Sequence, residues 1–429
     1  MTLRPGQPLL LEQVQLLEAE GVALRRCDLL IGQGRLQAMG EAAVEQAASL
    51  AAQVLPAQHL LLAPCLVDPH SYLEDPIHGV AESLVTLQRS ALAAGYGAVA
   101  LLPRATCWRD RPEHFQGLAM EGPLKLLWWG SFSHGGRGED LAGHGDQLAA
   151  GALGLADDAQ CPPMALLERG LSLAEFADAP LLLAPRDQAL TQAGFVREGV
   201  DALRAGWPMD PPISETFPLQ ALLAMAQRHP GCRLQLMNLS TAEAVDLLRQ
   251  QPAQQRPEAT VCWWHLLADS GCAEPTAQGW RLVPSLGTPN DRRALQQGLA
   301  EGVISAVAVH HAPLDAEEQL LPLDQRKPGV SGHRFVLPML WQELVERGGW
   351  SVADLWRVLC FAPARQLGLA APVLQAGSTE WILFNPAQRW QAMADQRASA
   401  AANQPLADAE LTGQVVASGL IPDLWRGPL

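Results

Sequence analysis

The sequence lacks the features that assign many chains to a class at first sight. No uninterrupted apolar stretch approaches the ~20 residues that a membrane-spanning helix needs. Residues 1–8 contain no apolar run after a basic start, so no signal peptide is predicted. No lysine and arginine cluster offsets the net charge of −15, which argues against a nucleic-acid partner. We therefore expect a protein that binds neither membrane nor nucleic acid.

Motifs of reactive cysteine and serine are lacking as well. The eight cysteines are scattered, and none has the Cys-x-x-Cys spacing of a structural zinc site or a thioredoxin-like centre. The Gly-x-Ser-x-Gly motif of a serine nucleophile is absent. No glycine-rich phosphate loop follows the first buried strand, as it usually does in a doubly wound sheet. These absences predict a reduced, cytoplasmic protein of another class.

Hydrophobic residues make up 48% of the chain and charged residues only 17%, which is typical of a globular protein with a large core. Both chain ends have a β pattern: Ile31–Arg35 predicts a tight hairpin, and short apolar runs return from Leu374 onward. Residues 388–404 are rich in alanine and glutamine, and we predict a surface helix or a mobile loop there.

Between these ends, about eight apolar runs alternate with helical segments over roughly 300 residues, as expected of a (β/α)8 barrel. The predicted strands are Leu60–Val67, Gly97–Leu102, Leu124–Trp129, Ala152–Ala156, Ala179–Leu183, Arg233–Leu239, Ala259–Trp264 and Val303–Val309. The predicted fold is α/β, a TIM-like barrel with a small β-sandwich domain built from both chain ends. The domains are expected at 1–62 and 373–429 for the β-sandwich and at 63–372 for the barrel.

Barrel active sites lie at the carboxyl ends of the strands. His70 and Tyr72 follow the first strand and are two residues apart, so both side chains are expected to point the same way. His310 and His311 are adjacent, so at most one of them faces the pocket. A hydrolytic metal centre needs about four imidazole or carboxylate ligands that converge on one point.

Five motifs resemble the landmarks of dihydroorotases, which are cyclic amidohydrolases of the metal-dependent amidohydrolase superfamily. They are Pro64–Leu73, Ala156–Asp158, Leu239–Thr241, His311–Pro313 and Ala362–Arg365, in family order across nearly the whole chain. The resemblance implies the barrel, the split β domain and a hydrolytic metal site.

The residues at the implied site depart from the family pattern. The family's first-strand His-x-His is His70-Ser71-Tyr72 here, and Glu74 replaces the arginine that grips the substrate carboxylate. The histidines that follow the fifth and sixth strands fall on Ala184 and Asn238, and the aspartate base falls on His310. Tyrosine, with an ordinary pKa near 10, is a poor replacement ligand.

Only His70, one carboxylate of Asp157 or Asp158, and His310 remain as metal candidates, so no metal centre of the family type and no cofactor are expected. His70 is interpreted as a hydrogen-bonded histidine at a strand end. Asp157-Asp158 is interpreted as a loop turn or a helix cap.

Three hypotheses follow. In the first, the chain is an inactive homologue in pyrimidine biosynthesis that serves as an assembly subunit in a homo- or hetero-oligomer. The resemblance suggests aspartate carbamoyltransferase as its partner, because inactive dihydroorotase homologues scaffold that enzyme. In the second, it is an active cyclic amidohydrolase with one zinc ion at His70, Asp157 or Asp158, and His310, helped by Tyr72 or His265. In the third, the barrel mouth binds a small molecule as a sensor.

Overall fold

A computed structural model of the chain describes residues 7–118, 122–173, 175–176, 178–271, 278–392 and 399–425. For residues 423–425 it describes the backbone alone. The strands are β1 Leu9–Leu16, β2 Arg25–Gly32, β3 Arg35–Met39, β4 Gln53–Pro56, β5 Leu61–Pro64, β6 Leu66–Ser71, β7 Tyr96–Leu101, β8 Lys125–Trp128, β9 Gly130–Ser131, β10 Leu155–Ala156, β11 Pro180–Leu183, β12 Val196–Arg197, β13 Met209–Asp210, β14 Arg233–Leu236, β15 Glu258–Cys262, β16 Ala306–Ala308, β17 Trp381–Gln391, β18 Glu410–Ser418 and β19 Ile421–Trp425.

The helices alternate with the strands through the middle of the chain. They are α1 Glu41–Ser49, α2 Leu84–Ala93, α3 His144–Ala149, α4 Met164–Leu173, α5 Gln188–Thr191, α6 Val200–Ala205, α7 Ile213–Arg228, α8 Ala242–Arg249, α9 Pro289–Ala300, α10 His333–Leu340, α11 Val352–Trp356 and α12 Ala362–Gln366. Two π-helical segments, Trp341–Arg347 and Arg357–Phe361, extend α10 and α11. None of the helices in the described ranges has the length and apolarity to cross a membrane.

Eight parallel strand positions form the predicted barrel, in the order β6, β7, β8 with β9, β10, β11, β14, β15 and β16. The ring closes between β16 and β6 through the loop after β16: the Val309 amide donates to Asp68 Oδ1 at 3.0 Å, and the His310 amide donates to the carbonyl of His70 at 3.2 Å. The strands are almost entirely buried, which explains their continuous apolar runs. The barrel prediction is confirmed.

The third strand position is divided by Trp129. Its first half, β8, pairs with β7, and its second half, β9, pairs with β10. Trp129 is fully buried between them, and its indole nitrogen donates to the carbonyl of Pro69 at 3.1 Å. The indole therefore fills the barrel interior at the point where the pairing of this strand position changes from β7 to β10.

The prediction of one strand at Leu60–Val67 is wrong, because two sheets share that run. β5 pairs with β1 and with β17 in the terminal sheet, whereas β6 pairs with β7 in the barrel. The chain changes sheets at Cys65, whose amide donates to the carbonyl of Glu380 at 3.1 Å. Both strands are buried on all sides, so apolarity alone does not separate them.

Both chain ends contribute to one eight-stranded sheet, in the order β19, β18, β17, β5, β1, β2, β3, with β4 against β1. This confirms a β-sheet domain made from the two termini. The hairpin between β2 and β3 is confirmed as well: Gln33 and Gly34 have φ of 52° and 74°, as a type I′ turn requires. The terminal sheet has its own apolar core, separate from that of the barrel.

The surface helix or mobile loop predicted for residues 388–404 is wrong where the structure describes that range. Residues 388–391 end strand β17, and residues 393–398 lie outside the described residues. Residues 399–404 are an irregular segment packed on the barrel, with Asn403 buried. The Asn403 amide group donates to the carbonyl of Ala312 at 2.8 Å and accepts from the Leu314 amide at 3.0 Å. These hydrogen bonds hold the segment in place.

All seven cysteines in the described ranges are unpaired. Cys272 lies outside those ranges.

Candidate functional site

Two buried histidines meet at the mouth of the barrel. His70 ends β6, and His310 follows β16 two residues after its last residue. Their Nδ1 atoms are 3.1 Å apart, and the rings meet edge to face with centroids 5.1 Å apart. His70 Nε2 lies 2.8 Å from Thr260 Oγ1 on β15. Both ring nitrogens of His70 are therefore used within the protein, which confirms that it is a hydrogen-bonded histidine.

A neutral imidazole has one N–H donor and one lone pair. With His310 at Nδ1 and Thr260 at Nε2, one nitrogen of His70 donates and the other accepts in either tautomer. Thr260 Oγ1 also accepts from the Asn238 amide at 3.0 Å. Burial, with the neighbouring His310, holds the pKa of His70 well below its ordinary value. Burial, with His265 nearby, lowers the pKa of His310 to about 3. Both imidazoles are neutral at pH 7.

Tyr72 points the same way as His70, as the spacing predicts, because its ring packs edge to face on His310 with centroids 5.1 Å apart. Its hydroxyl donates to Asp158 Oδ1 at 3.2 Å, and the Arg104 guanidinium pairs with the same carboxylate at 3.4 Å. Burial and the Asp158 charge raise the pKa of the Tyr72 hydroxyl well above its ordinary value. The phenol keeps its proton at neutral pH and is not an anionic ligand.

Asp157 is held away from the histidine pair. Its carboxylate accepts from the Ser133 amide at 2.9 Å, from Ser133 Oγ at 2.8 Å and from Ser131 Oγ at 3.3 Å. Burial raises the pKa of Asp157 to about 6, against the lowering effect of these hydrogen bonds. Both aspartates lie in the loop after β10, which agrees with the loop-turn interpretation. The helix-cap interpretation is wrong, because Asp157 binds Ser131 and Ser133 and Asp158 binds Arg104 and Tyr72.

The remaining predicted positions carry side chains of other chemistry. Ala184 follows β11 and presents only a methyl group, and Asn238 follows β14 with a left-handed φ of 54°. Glu74 is exposed and lies 3.5 Å from Lys327 Nζ. His265 is buried near His310 but hydrogen-bonds elsewhere, with Nε2 donating to the carbonyls of Pro284 and Ser285, and burial lowers its pKa to about 4.

His311 points away from His310, so only one of the adjacent histidines lines the mouth, as predicted. Its ring lies in a second buried cluster behind the strands. There His311 Nε2 is 3.4 Å from Glu82, and His333 Nε2 is 3.1 Å from Asp68. This cluster joins α10 and the loop after β16 to the first barrel strand.

These residues do not fit the zinc ion that the family pattern implies. Among the described residues, no three His, Cys, Asp or Glu side chains lie close enough together to hold a metal ion. The single lone pair of neutral His70 is engaged in either tautomer, because His310 and Thr260 occupy its two ring nitrogens. A metal ligand needs such a lone pair on a neutral imidazole. Asp157 is committed to the serines, and Ala184 has no donor atom.

Sequence reasoning missed a buried ionic cluster beside the histidines. Arg197 on β12 lies 3.5 Å from Asp210 and 3.5 Å from Glu215, and donates to Ser240 Oγ at 2.8 Å. Glu215 also accepts from the amides of Ser240 and Thr241, and Arg186 lies 3.7 Å from Asp210. Arg197 and Asp210 come from a two-stranded sheet of two residue pairs, which is too short to be recognised from an apolar pattern in the sequence. Arg186 was visible two residues after Ala184, but nothing showed that it turns inward.

Two adjacent cavities lie at the mouth. The inner recess is lined by Ala184, Arg186, Arg197, Glu215, Asn238 and His310, among others, and has a free volume of about 10 Å³. The outer cavity has a free volume of about 70 Å³ and is lined by Tyr72, Glu74, Arg104, Lys327 and apolar residues. Both cavities include Ala159, Val283 and His310 in their walls.

Comparisons with known proteins agree on family and fold. A probable dihydroorotase-like protein of Synechocystis sp. is 34% identical over 403 residues, covering 85% of this chain and 89% of that protein. A dihydroorotase of Syntrophotalea carbinolica is 27% identical over 376 residues, covering 85% and 87%. The crystal structure of an L-hydantoinase from Arthrobacter aurescens superposes with a TM-score of 0.78 at 18% identity, covering 96% and 94%, which supports the fold alone. No family model matches the chain.

Proposed function

The chain belongs to the dihydroorotase-like family of the amidohydrolase superfamily, and we propose that it is a member that does not hydrolyse cyclic amides. The observation that supports this proposal best is the state of His70, whose two ring nitrogens are both occupied by protein partners. A metal-dependent hydrolase needs a lone pair at this position to hold the ion that activates water.

Among the described residues that line the mouth, none is free to act as an effective base. A general base is most effective when its pKa is near the working pH. His310 stands where the family pattern has an aspartate base, and with a pKa of about 3 it is a weak proton acceptor at pH 7. Tyr72 keeps its proton. Asp157 has a pKa of about 6, but its carboxylate is engaged by the Ser133 amide and hydroxyl. Attack of water on an amide carbonyl therefore has little assistance from this chain.

The experiment is a hydrolysis assay with L-dihydroorotate at pH 7 to 8 in zinc-supplemented buffer. The dihydroorotase of Syntrophotalea carbinolica serves as the positive control and is assayed in the same zinc-supplemented buffer. We expect a rate at the buffer background for this chain. A rate above background that disappears with chelation would establish the alternative, an active cyclic amidohydrolase with a single zinc at His70, Asp157 or Asp158, and His310.

We further propose that the chain acts as an assembly subunit for aspartate carbamoyltransferase in the cytoplasm. What supports this is the family relation together with the simultaneous change of several site residues at Tyr72, Ala184, Asn238 and His310. A change of substrate alone would alter the carboxylate-gripping position at Glu74 and keep the metal ligands.

Co-expression of the two chains tests the assembly proposal. An affinity tag on this chain should retain the carbamoyltransferase through size-exclusion chromatography in a fixed ratio. The carbamoyltransferase should also denature at lower temperature when this chain is left out. Separate elution at micromolar concentration, with no change in its thermal midpoint, would contradict the proposal.

A further inference from the structure

Arg186 is a buried cation whose hydrogen-bonding capacity is not met. Its side chain is 7% exposed, and neither Nε nor Nη1 has a hydrogen-bond partner among the described residues. The Asp210 carboxylate lies 3.7 Å from Nη1, beyond hydrogen-bond distance, and already accepts from Ser285 Oγ at 2.8 Å and from Ser214 Oγ. A buried guanidinium with unused donors costs free energy. An acceptor from outside the chain would remove that cost.

Asn238 is a second unsatisfied group in the same recess. It is 3% exposed, and the parts of the chain that the structure describes offer no partner to either Oδ1 or Nδ2. Its backbone is also in the left-handed region, with a φ of 54°. Buried amides are nearly always hydrogen-bonded. Arg186 and Asn238 both line the inner recess, so the two sets of unused donors share one space.

The size of the recess limits what can enter it. A free volume of about 10 Å³ is room for one water-sized group. The outer cavity, with about 70 Å³, accommodates a few more atoms and shares the wall residues His310 and Val283 with the recess. A ligand of this shape has a small polar head and a short body.

The charged residues of the cavity walls differ in how well they are paired. The cations that line the two cavities are Arg104, Arg186, Arg197 and Lys327. Arg104, Arg197 and Lys327 each pair with a carboxylate within 3.5 Å. Arg186 has two guanidinium nitrogens, Nε and Nη1, without a hydrogen-bond partner among the described residues, whereas Arg197 has one, Nε. Arg186 is therefore the buried cation with more unused donors.

We propose that the inner recess takes one carboxylate oxygen of a small organic acid, with Arg186 and Asn238 Nδ2 as donors, while the rest of the acid lies in the outer cavity. The planar guanidinium matches the planar carboxylate, and charge-assisted hydrogen bonds of this kind are strong. Burial lowers the pKa of the Arg186 guanidinium below its ordinary value, a cost that a bound carboxylate would offset. The site needs neither metal nor turnover, so it stands apart from the absence of hydrolysis.

Calorimetric titration of the full chain tests the proposal. The probes are acetate, propionate, succinate and benzoate, with the corresponding uncharged amides and inorganic phosphate as controls. At least one carboxylate should bind, and its amide should not. Arg186→Met and Asn238→Leu should each weaken that binding about tenfold or more, the usual loss for a hydrogen bond to a charged group. Arg389→Met, an exposed arginine on β17, is the matched control and should bind as the unchanged chain does.

The proposal is overturned if no carboxylate binds, if the amides or phosphate bind equally well, or if Arg186→Met retains the affinity. Circular dichroism establishes that each variant is folded. If Arg186→Met fails to fold, the proposal is tested instead by the affinity of Asn238→Leu and by a crystal structure of the unchanged chain at saturating carboxylate. Carboxylate density between Arg186 and Asn238 supports the site, whereas a single buried water there overturns it.

Discussion

At the residue scale, the chemistry of the barrel mouth depends on where each imidazole nitrogen finds its hydrogen-bond partner. His70 is enclosed between Thr260 and His310, and His310 is enclosed between His70 and Tyr72. A ring buried in this way loses its hydration when protonated, so its pKa is lowered. The two histidines therefore act as neutral hydrogen-bonding groups that tie β6, β15 and β16 together.

This enclosure predicts an acid-sensitive fold. His310 has a folded-state pKa of about 3, whereas an unfolded histidine titrates near 6.5. Between these values the unfolded chain binds the extra proton, so stability is lost as pH falls below about 6.5. His310→Asn should remove this contribution. From pH 7 to pH 5 the unchanged chain should lose about 2 kcal/mol more than the variant in urea unfolding.

The control for that measurement is His59→Asn, an exposed histidine in the terminal sheet domain. It should follow the pH dependence of the unchanged chain. Parallel stability curves for His310→Asn and the unchanged chain would show that His310 is not held neutral by the fold.

The sequence was informative about which site residues are present and uninformative about their partners. The spacing of His70 and Tyr72 correctly predicted a shared direction. The sequence could not show that Thr260, from a strand 190 residues away, takes the second nitrogen of His70. Nor could it show that Asp157 turns toward the serines after β9. Contacts of this kind depend on which loops meet at the mouth, and local pattern carries no information on that.

At the scale of elements, apolar runs identified the eight barrel strands but not where each sheet begins. β5 and the first two residues of β6 lie in one unbroken apolar run, yet the two strands belong to different sheets. Because both strands are buried on all sides, apolarity does not mark the boundary. The irregular segment 399–404 shows the opposite case. Its composition suggested a surface element, yet the Asn403 side chain acts as a backbone substitute and pairs with the loop after β16.

We expect Asn403→Ala to destabilise the fold by about 1–3 kcal/mol, because it leaves the Leu314 amide and the Ala312 carbonyl buried without their partner. The free energy of unfolding in urea measures the loss. Gln391→Ala, at the exposed end of β17, is the control and should change stability by less than about 0.5 kcal/mol. Equal effects of the two variants would mean that segment 399–404 is not anchored through Asn403.

At the scale of the whole molecule, the chain keeps the architecture of its family while the centre of the barrel has different chemistry. Relatives named dihydroorotase align with most of its length, and an L-hydantoinase structure covers 96% of it. Fold and function separate in this way because a packed barrel is stabilised by its apolar core, whereas catalysis depends on a few side chains at the strand ends.

Restoring the family residues should restore metal binding on the same scaffold. The combined variant Tyr72→His, Ala184→His, Asn238→His and His310→Asp replaces non-ligands with family ligands and frees His70 Nδ1. It should take up about one zinc ion per chain. Failure to bind zinc, with the fold intact by circular dichroism, would show that the backbone at the mouth has also changed.

The most direct test of the central claim is the zinc-to-protein ratio of the unchanged chain after equilibrium dialysis against micromolar zinc, measured by mass spectrometry of the metal. Exposed histidines and cysteines bind zinc weakly, so a wash with a mild chelator follows. The account predicts a ratio well below about 0.1 for the unchanged chain. A ratio near one that survives the wash and falls in a His70→Ala variant would contradict it.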